Sequence, residues 1–193
     1  MARANLTSSI VIAAAADLAD REGVDAVTLS ALARQFGVQT ASLYSHVRDR
    51  PSLLDSVHAL ALGELADRIA LAIAGRSGRD ALVPLANAQR DYARRSPGRW
   101  AALQRPAAPS TVESDAAGRV VALTWAMLRG YPLPEAELVH ATRLLGATVN
   151  GFLGLEASGS FGHRDPAPDI SWRRALDALD ATFRNWPSEG TTV

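Results

Sequence analysis

Apolar residues recur at intervals of three and four almost throughout the chain, and the strict alternation that builds strands never persists. The pattern predicts an all-α protein. The first helix is expected from Thr7, with Ile10, Ala14 and Leu18 on one face, and it stops at Gly23, a residue suited to a left-handed cap. Thr28 offers an N-cap for a second helix that carries Leu29, Leu32 and Phe36 and ends at Gly37. After a minimal turn, a short third helix holds Leu43 and Val47. Asp49 ahead of Arg50-Pro51 then predicts the start of a long fourth helix running to about Ala74.

Gly75-Arg76-Ser77-Gly78 interrupts the periodicity, and a fifth helix is expected from about Asp80 to Arg94. Ser96-Pro97-Gly98 closes it. A short turn around Trp100 to Leu103 and an irregular stretch from Pro106 to Pro109 precede a helix from about Thr111 to Leu128. Past Gly130-Tyr131-Pro132-Leu133-Pro134, the segment Glu135 to about Ser158 is apolar around most of its circumference, which predicts a helix buried on several sides. The loop Gly159 to Pro168 is expected to move. The last helix, about Ile170 to Trp186, spaces Trp172, Leu176, Leu179, Phe183 and Trp186 by four, three, four and three, a heptad-like seam. Trp172, Leu176, Leu179 and Phe183 suit packing within the chain, and if the seam is exposed on the single chain they are expected to form half of a symmetric four-helix dimer interface.

Composition narrows the class. With 193 residues, 48% hydrophobic and a formal net charge of zero, the chain has enough apolar content for one good core or two small ones, which excludes disorder. Cysteine is absent, so disulfides, thiolate nucleophiles and Cys-based metal sites are excluded. The longest nearly apolar run, Ile10 to Ala16, is far short of the roughly 20 residues that cross a bilayer, and no export signal is visible. A cytoplasmic protein without membrane partners is the expectation. All 20 basic residues are arginine, so any phosphate contacts fall to planar guanidinium forks. Residues 1–50 hold five Arg and five acids, and only Thr28 to Arg50 leans positive.

The most informative stretch is Thr28 to Val47, TLSALARQFGVQTASLYSHV, whose residue types fit a helix-turn-helix. Ala33 is small where two helices would touch, and Gly37 sits where the turn calls for positive φ. Leu32, Phe36, Val38 and Leu43 supply the core beneath. A generic helical hairpin with a glycine cap is the plain alternative. If the third helix reads DNA, turning Leu43 and Val47 inward places Ala41, Ser45 and Arg48 outward by the 3.6-residue period. Ala41 is suited to a thymine methyl and Ser45 to a base edge, with Thr40, Ser42 and Tyr44 on the flanks. Thr28, His46, Arg48 and Arg50 complete the candidate DNA-binding set. None is a bidentate base reader.

These residues resemble the N-terminal domain of the TetR family of transcriptional regulators, from Thr7 to about Leu54, through Gly23, Thr28, Leu32-Ala33, Gly37-Val38, Leu43-Tyr44, His46 and Leu53-Leu54. The chain departs from the family's Leu-Tyr-x-His-Phe followed by Lys, with Val47 for the Phe and Arg50 for the Lys. The resemblance implies a DNA-binding domain in residues 1–50 and a helical ligand-binding and dimerising domain in 51–193. It implies a homodimeric, ligand-responsive repressor of a near-palindromic operator, with no cofactor and no enzymatic activity. The stretch Asn150-Gly151-Phe152, Leu155-Glu156 and Phe161-Gly162 is similar to the subgroup with a Trp/His-Gly signature, with Asn150 replacing the histidine. Trp100, Trp125, Asn150, Phe152 and Glu156 are candidates to line an apolar effector pocket, and packing alone is the alternative for each.

Two other classes compete. A helical binding or sequestering protein without operator recognition is compatible with the near-neutral head. A metal enzyme would rest on Glu137 with His140 and Asp55 with His58, each pair one helical turn apart, but facing carboxylates are wanting and His58 is expected to point outward. No metal site is therefore expected.

Overall fold

The computed structural model of the chain describes residues 6–187. The described residues are helical, with no strand among them. They divide into two compact units, the first within Met1–Leu65 and Tyr92–Gly118, the second within Ala66–Asp91 and Arg119–Val193. This packing division differs from the division at residues 50 and 51 inferred from the resemblance, because a later segment folds back into the first unit.

In the first unit, α1 (Ser8–Glu22) is capped by Thr7, whose hydroxyl accepts from the Ile10 N–H at 3.3 Å. Its buried face is Val11, Ala14, Ala15, Leu18 and Ala19, whereas Ile10, assigned inward from the sequence, is 44% exposed. The run of small residues explains the difference, because the alanine face lets other helices approach the α1 backbone. A 3-10 turn, Val24–Ala26, leads to α2 (Leu29–Phe36), capped by the Thr28 hydroxyl accepting from the Ala31 N–H at 3.1 Å. Next comes Thr40–Ser45, which is a 3-10 helix rather than the expected α-helix. The long helix is α3 (Arg50–Ile73).

Asp49 caps α3 as expected: its Oδ1 accepts from the Ser52 N–H at 2.8 Å, and the Asp49 N–H donates back to the Ser52 hydroxyl at 3.1 Å. Helix α4 spans Gly78–Arg95. Where a turn was expected, Pro97–Leu103 forms α5, whose Trp100 and Ala102 are buried. A short α6 (Pro109–Val112) and α7 (Asp115–Leu128) follow. Leu32, Leu43, Leu53, Leu54 and Val57 share one core with Val11, Ala15, Leu18 and Ala102. His58 also turns inward, at 7% exposure, correcting the outward placement. Burial holds its imidazole below the ordinary value against the opposing pull of Asp55, and the Arg105 charge adds to the lowering.

In the second unit, a 3-10 turn (Glu135–Glu137) precedes α8 (Leu138–Ala157), and α9 is Pro168–Arg184. Only one stripe of α8 is buried, Leu138, Ala141, Leu145, Val149 and Leu153, so the expectation of burial on several sides does not hold for the single chain. On α9, Trp172, Leu176, Leu179 and Phe183 are each at most 4% exposed. Their seam is spent on the chain's own core, as the packing reading expects, and lacks the exposure that the dimer-interface reading requires, which corrects that reading. The Trp172 indole N–H donates to Asn87 Oδ1 at 2.8 Å, and Phe183 meets the Tyr131 ring edge-on at 5.4 Å. Asp180, nearly buried, accepts from the Tyr131 hydroxyl at 2.9 Å, Arg79 at 3.2 Å and Arg184 at 3.0 Å. Burial raises its carboxyl, yet these donors hold it below the ordinary range.

Candidate nucleic-acid interface

Helix α2 ends because Gly37 adopts φ +66°, a left-handed conformation that costs other residues about 1 to 2 kcal/mol. The Val38 N–H then returns to the Ala33 carbonyl at 3.0 Å, which fixes the exit direction of the chain. The 3-10 helix Thr40–Ser45 is pinned from beneath by Leu43, fully buried, and Val47, 8% exposed. Ala41, Ser42, Tyr44 and Ser45 face outward, with Tyr44 58% exposed, and Thr40 is half-buried at the start. With about three residues per turn, Ala41 aligns with Tyr44, and Ser42 with Ser45. A period of 3.6 residues per turn instead groups Ala41 with Ser45 and Arg48. All three are nonetheless exposed.

The Ser45 hydroxyl donates to the Ser42 carbonyl at 2.8 Å, leaving its lone pairs outward. The half-buried His46 has its carbonyl tied to the Ser8 hydroxyl at 3.0 Å, which fastens the end of the turn to α1. Arg48 is 81% exposed and lends its Nε to Asp49 at 3.0 Å. Hydrogen bonds from the Ser52 N–H and hydroxyl, and then from Arg48, hold the Asp49 carboxyl below its ordinary value. Arg50 is placed differently from a free phosphate anchor. Its Nε donates to the Val27 carbonyl at 2.7 Å and one terminal nitrogen to the Val24 carbonyl at 3.2 Å. The guanidinium braces the approach to α2. The Val24 carbonyl, which also accepts from the Val27 N–H at 3.2 Å, and the Val27 carbonyl come within reach of Arg50 only in the folded backbone, a signal that sequence spacing does not carry.

The other candidate sets are dispersed. Trp100 belongs to the first unit and is 9% exposed, while Trp125, Asn150, Phe152 and Glu156 belong to the second. Trp125 lies under the Arg129 guanidinium at 5.6 Å. Asn150 is exposed, on the side of α8 away from its buried stripe. Phe152 and Glu156 do come together: Arg90 is bound at both Glu156 oxygens and sits 5.7 Å from the Phe152 ring and 5.1 Å from the Trp172 ring. Arg90, which the sequence motifs do not single out, thus partners the Glu156 that the sequence offers as an effector contact. Among the described residues no group of three or more His, Asp or Glu side chains is arranged to hold a metal ion. No described helix is long and apolar enough to cross a membrane.

The comparisons agree with this geometry. Residues 11–57 match the family model of bacterial regulatory proteins of the tetR family, and residues 82–179 match a tetracyclin repressor-like C-terminal domain. The chain is 31% identical over 159 residues to the uncharacterized HTH-type transcriptional regulator YobS of Bacillus subtilis, covering 82% of this chain and 83% of that protein. Over 158 residues, 81% of this chain and 72% of the relative, it is 33% identical to an uncharacterized HTH-type transcriptional regulator of Mycobacterium tuberculosis. Among solved structures, a variant of TetR from Acinetobacter baumannii AYE in complex with minocycline is similar at a TM-score of 0.71 and 26% identity, covering 96% of this chain and all of that one. BioQ with its double-stranded DNA operator shares the fold at a TM-score of 0.67 and 21% identity, covering 92% of this chain and 99% of that one. The chain belongs to the TetR family of transcriptional regulators, a non-enzymatic class.

Proposed function

We propose that the chain is a cytoplasmic, ligand-responsive repressor that binds a near-palindromic DNA operator as a homodimer. The observation that carries this reading is the small, polar, exposed face of Ala41, Ser42, Tyr44 and Ser45, raised on a turn whose Leu43 and Val47 are locked in the core. Such a face approaches a major-groove floor closely: the Ala41 methyl suits a thymine methyl, and the Ser45 hydroxyl suits a base edge. Tyr44, Thr40, Ser42, His46 and the exposed Arg48 serve the flanking phosphates, and the α2 N-terminus at Thr28 presents N–H groups to the same strand. Arg50 supports them from behind.

One head with so few cations binds weakly. Two heads held at a fixed separation act at high effective concentration and read successive groove faces. With the α9 seam buried, the dimer face falls to α8, where Leu144, Ala147, Gly151 and Leu155 form an exposed line spaced by three, four and four. Its small residues permit close helix approach, and Leu144 and Leu155 are 37% and 49% exposed. The effector-binding role falls to residues 51–193, where a coupling of about 1 to 3 kcal/mol changes operator affinity roughly 5- to 150-fold. The reading calls for no cofactor and no reaction.

Selection of binding sites from random duplex DNA with the purified protein tests it. An inverted-repeat consensus whose affinity falls steeply with salt is expected. Recovery of no consensus, with salt-insensitive binding of small molecules only, favours the sequestering alternative.

A further inference from the structure

Helix α5 meets α1 at its backbone. A Cβ at Gly98 would lie 2.0 Å from the Ala19 carbonyl carbon, 2.1 Å from its oxygen and 2.4 Å from the Asp20 nitrogen, so only glycine fits at this contact. The junction is also ionic. Ser96, at the N-cap position of α5, makes no side-chain capping bond, and Asp20 of α1 takes that role: its Oδ1 accepts from the Arg99 backbone N–H at 2.8 Å. The second Asp20 oxygen pairs with the Arg99 guanidinium, which also donates to Asp17 at 2.8 Å. A third carboxylate, Glu64 of α3, lies 3.4 Å from Arg99 Nε, and the buried Tyr92 of α4 donates its hydroxyl to the same Glu64 oxygen at 2.8 Å. Arg99 Nε is the one buried side-chain nitrogen among the described residues without a hydrogen bond. Its side chain is 14% exposed and that of Asp20 15%, so a single guanidinium holds three carboxylates through a largely buried Arg99–Asp20 pair, with Asp17 and Glu64 at its solvent-facing edge.

We propose that Arg99, seated through Gly98 on the last turn of α1, is a positioning residue that fixes the orientation of the DNA-reading turn. The coupling is mechanical. The end of that turn is fastened to α1 by the Ser8 hydroxyl on the His46 carbonyl, and α1 is fastened to α5, α3 and α4 by Arg99. Rotation of α1 on α5 pulls the largely buried Asp20 carboxylate away from the largely buried Arg99 guanidinium, and because breaking a buried pair is costly the joint holds one geometry until it breaks. A rigid head admits one half-site spacing, and a loosened head admits several. This rests on the reading of the chain as a DNA-binding dimer.

The chain has no cysteine, so an Ala13→Cys, Gln104→Cys pair, both exposed, reports the α1 to α5 distance by spin labelling of the full-length protein. With Arg99 intact, one narrow distance distribution is expected. Arg99→Met is expected to broaden it, Arg99→Lys to restore it in part, and Glu64→Gln, at a half-exposed position, to broaden it less while leaving folding intact. In parallel, each protein is titrated against its selected duplex and against duplexes with one base pair added or removed between half-sites. The expected result is that Arg99→Met lowers the preference for the selected spacing by about tenfold or more, with Glu64→Gln intermediate. Narrow distributions and unchanged spacing preference in both Arg99→Lys and Glu64→Gln overturn the proposal, even if Arg99→Met fails to fold. If the intact protein binds no duplex, the DNA reading fails, and the assignment of a positioning role with it, whatever the labels show.

Discussion

The Arg50 guanidinium donates to the Val27 carbonyl, 2.7 Å away and 23 residues earlier in the chain, joining the first turn of α3 to the entry of α2. The residue that motif matching assigns to phosphate binding therefore has a structural task. Arg50→Ala is expected to destabilise the N-terminal unit by about 1 to 3 kcal/mol, because two carbonyls lose a charged donor. Arg50→Lys is expected to recover only part, since one ammonium does not reproduce the fork. Urea unfolding read by circular dichroism measures both.

Arg48 and Tyr44 are expected to behave in the opposite way. Both are exposed, so Arg48→Ala and Tyr44→Ala leave unfolding midpoints nearly unchanged. Each weakens duplex binding, and Arg48→Ala lowers the slope of log affinity against log salt by about 0.9 for the phosphate contact it gives up. Fluorescence anisotropy over a salt series separates the two.

The packing beneath the turn fails differently. Leu43 is fully buried, and Leu43→Ala is expected to cost about 2 to 5 kcal/mol. DNA binding then disappears together with the fold, on the same denaturation curve.

For the dimer, Leu144→Asp is expected to give folded monomers by light scattering, because the α8 line is exposed on the single chain. Trp172→Ala is expected to lower the unfolding midpoint instead, since Trp172 fills its own chain's core and bonds to Asn87. Retention of the dimer by Leu144→Asp removes the α8 face from the account.

Acid is expected to weaken the fold through His58. Its folded value lies below that of an ordinary imidazole, about 6.5, so the unfolded chain binds the proton first as pH falls. Stability contributed by the neutral, buried imidazole is full above that value and declines as pH drops below it toward the folded value. His58→Gln removes this segment of the pH dependence of the urea midpoint.

Most of the architecture could be read from the chain because its punctuation is local. Thr7, Thr28 and Asp49 cap the helices they precede, Gly37 takes the left-handed turn, and Leu43 and Val47 turn inward, all by rules of short range. What escaped is long-range. Periodicity gives α8 an apolar surface without saying how much of it the same chain covers, and it gives α9 a seam without saying which side of the interface it faces. The sequence makes Trp100–Leu103 a turn because Ser96-Pro97-Gly98 reads as punctuation, whereas the cap of this helix comes from Asp20, 79 residues before Arg99. The fate of Arg50 likewise depends on carbonyls that only the folded backbone brings within its reach.

The proposed complex sets the outward face of the turn Thr40–Ser45 against base edges. The most direct measurement is the affinity of Ser45→Glu for the selected duplex, compared with the intact protein and with matched unfolding curves. A carboxylate placed between the protein and the groove costs several kcal/mol, a loss of about hundredfold or more, while an exposed position leaves stability unchanged. An intact protein that binds its operator specifically, alongside a Ser45→Glu protein that binds it equally well, contradicts the account.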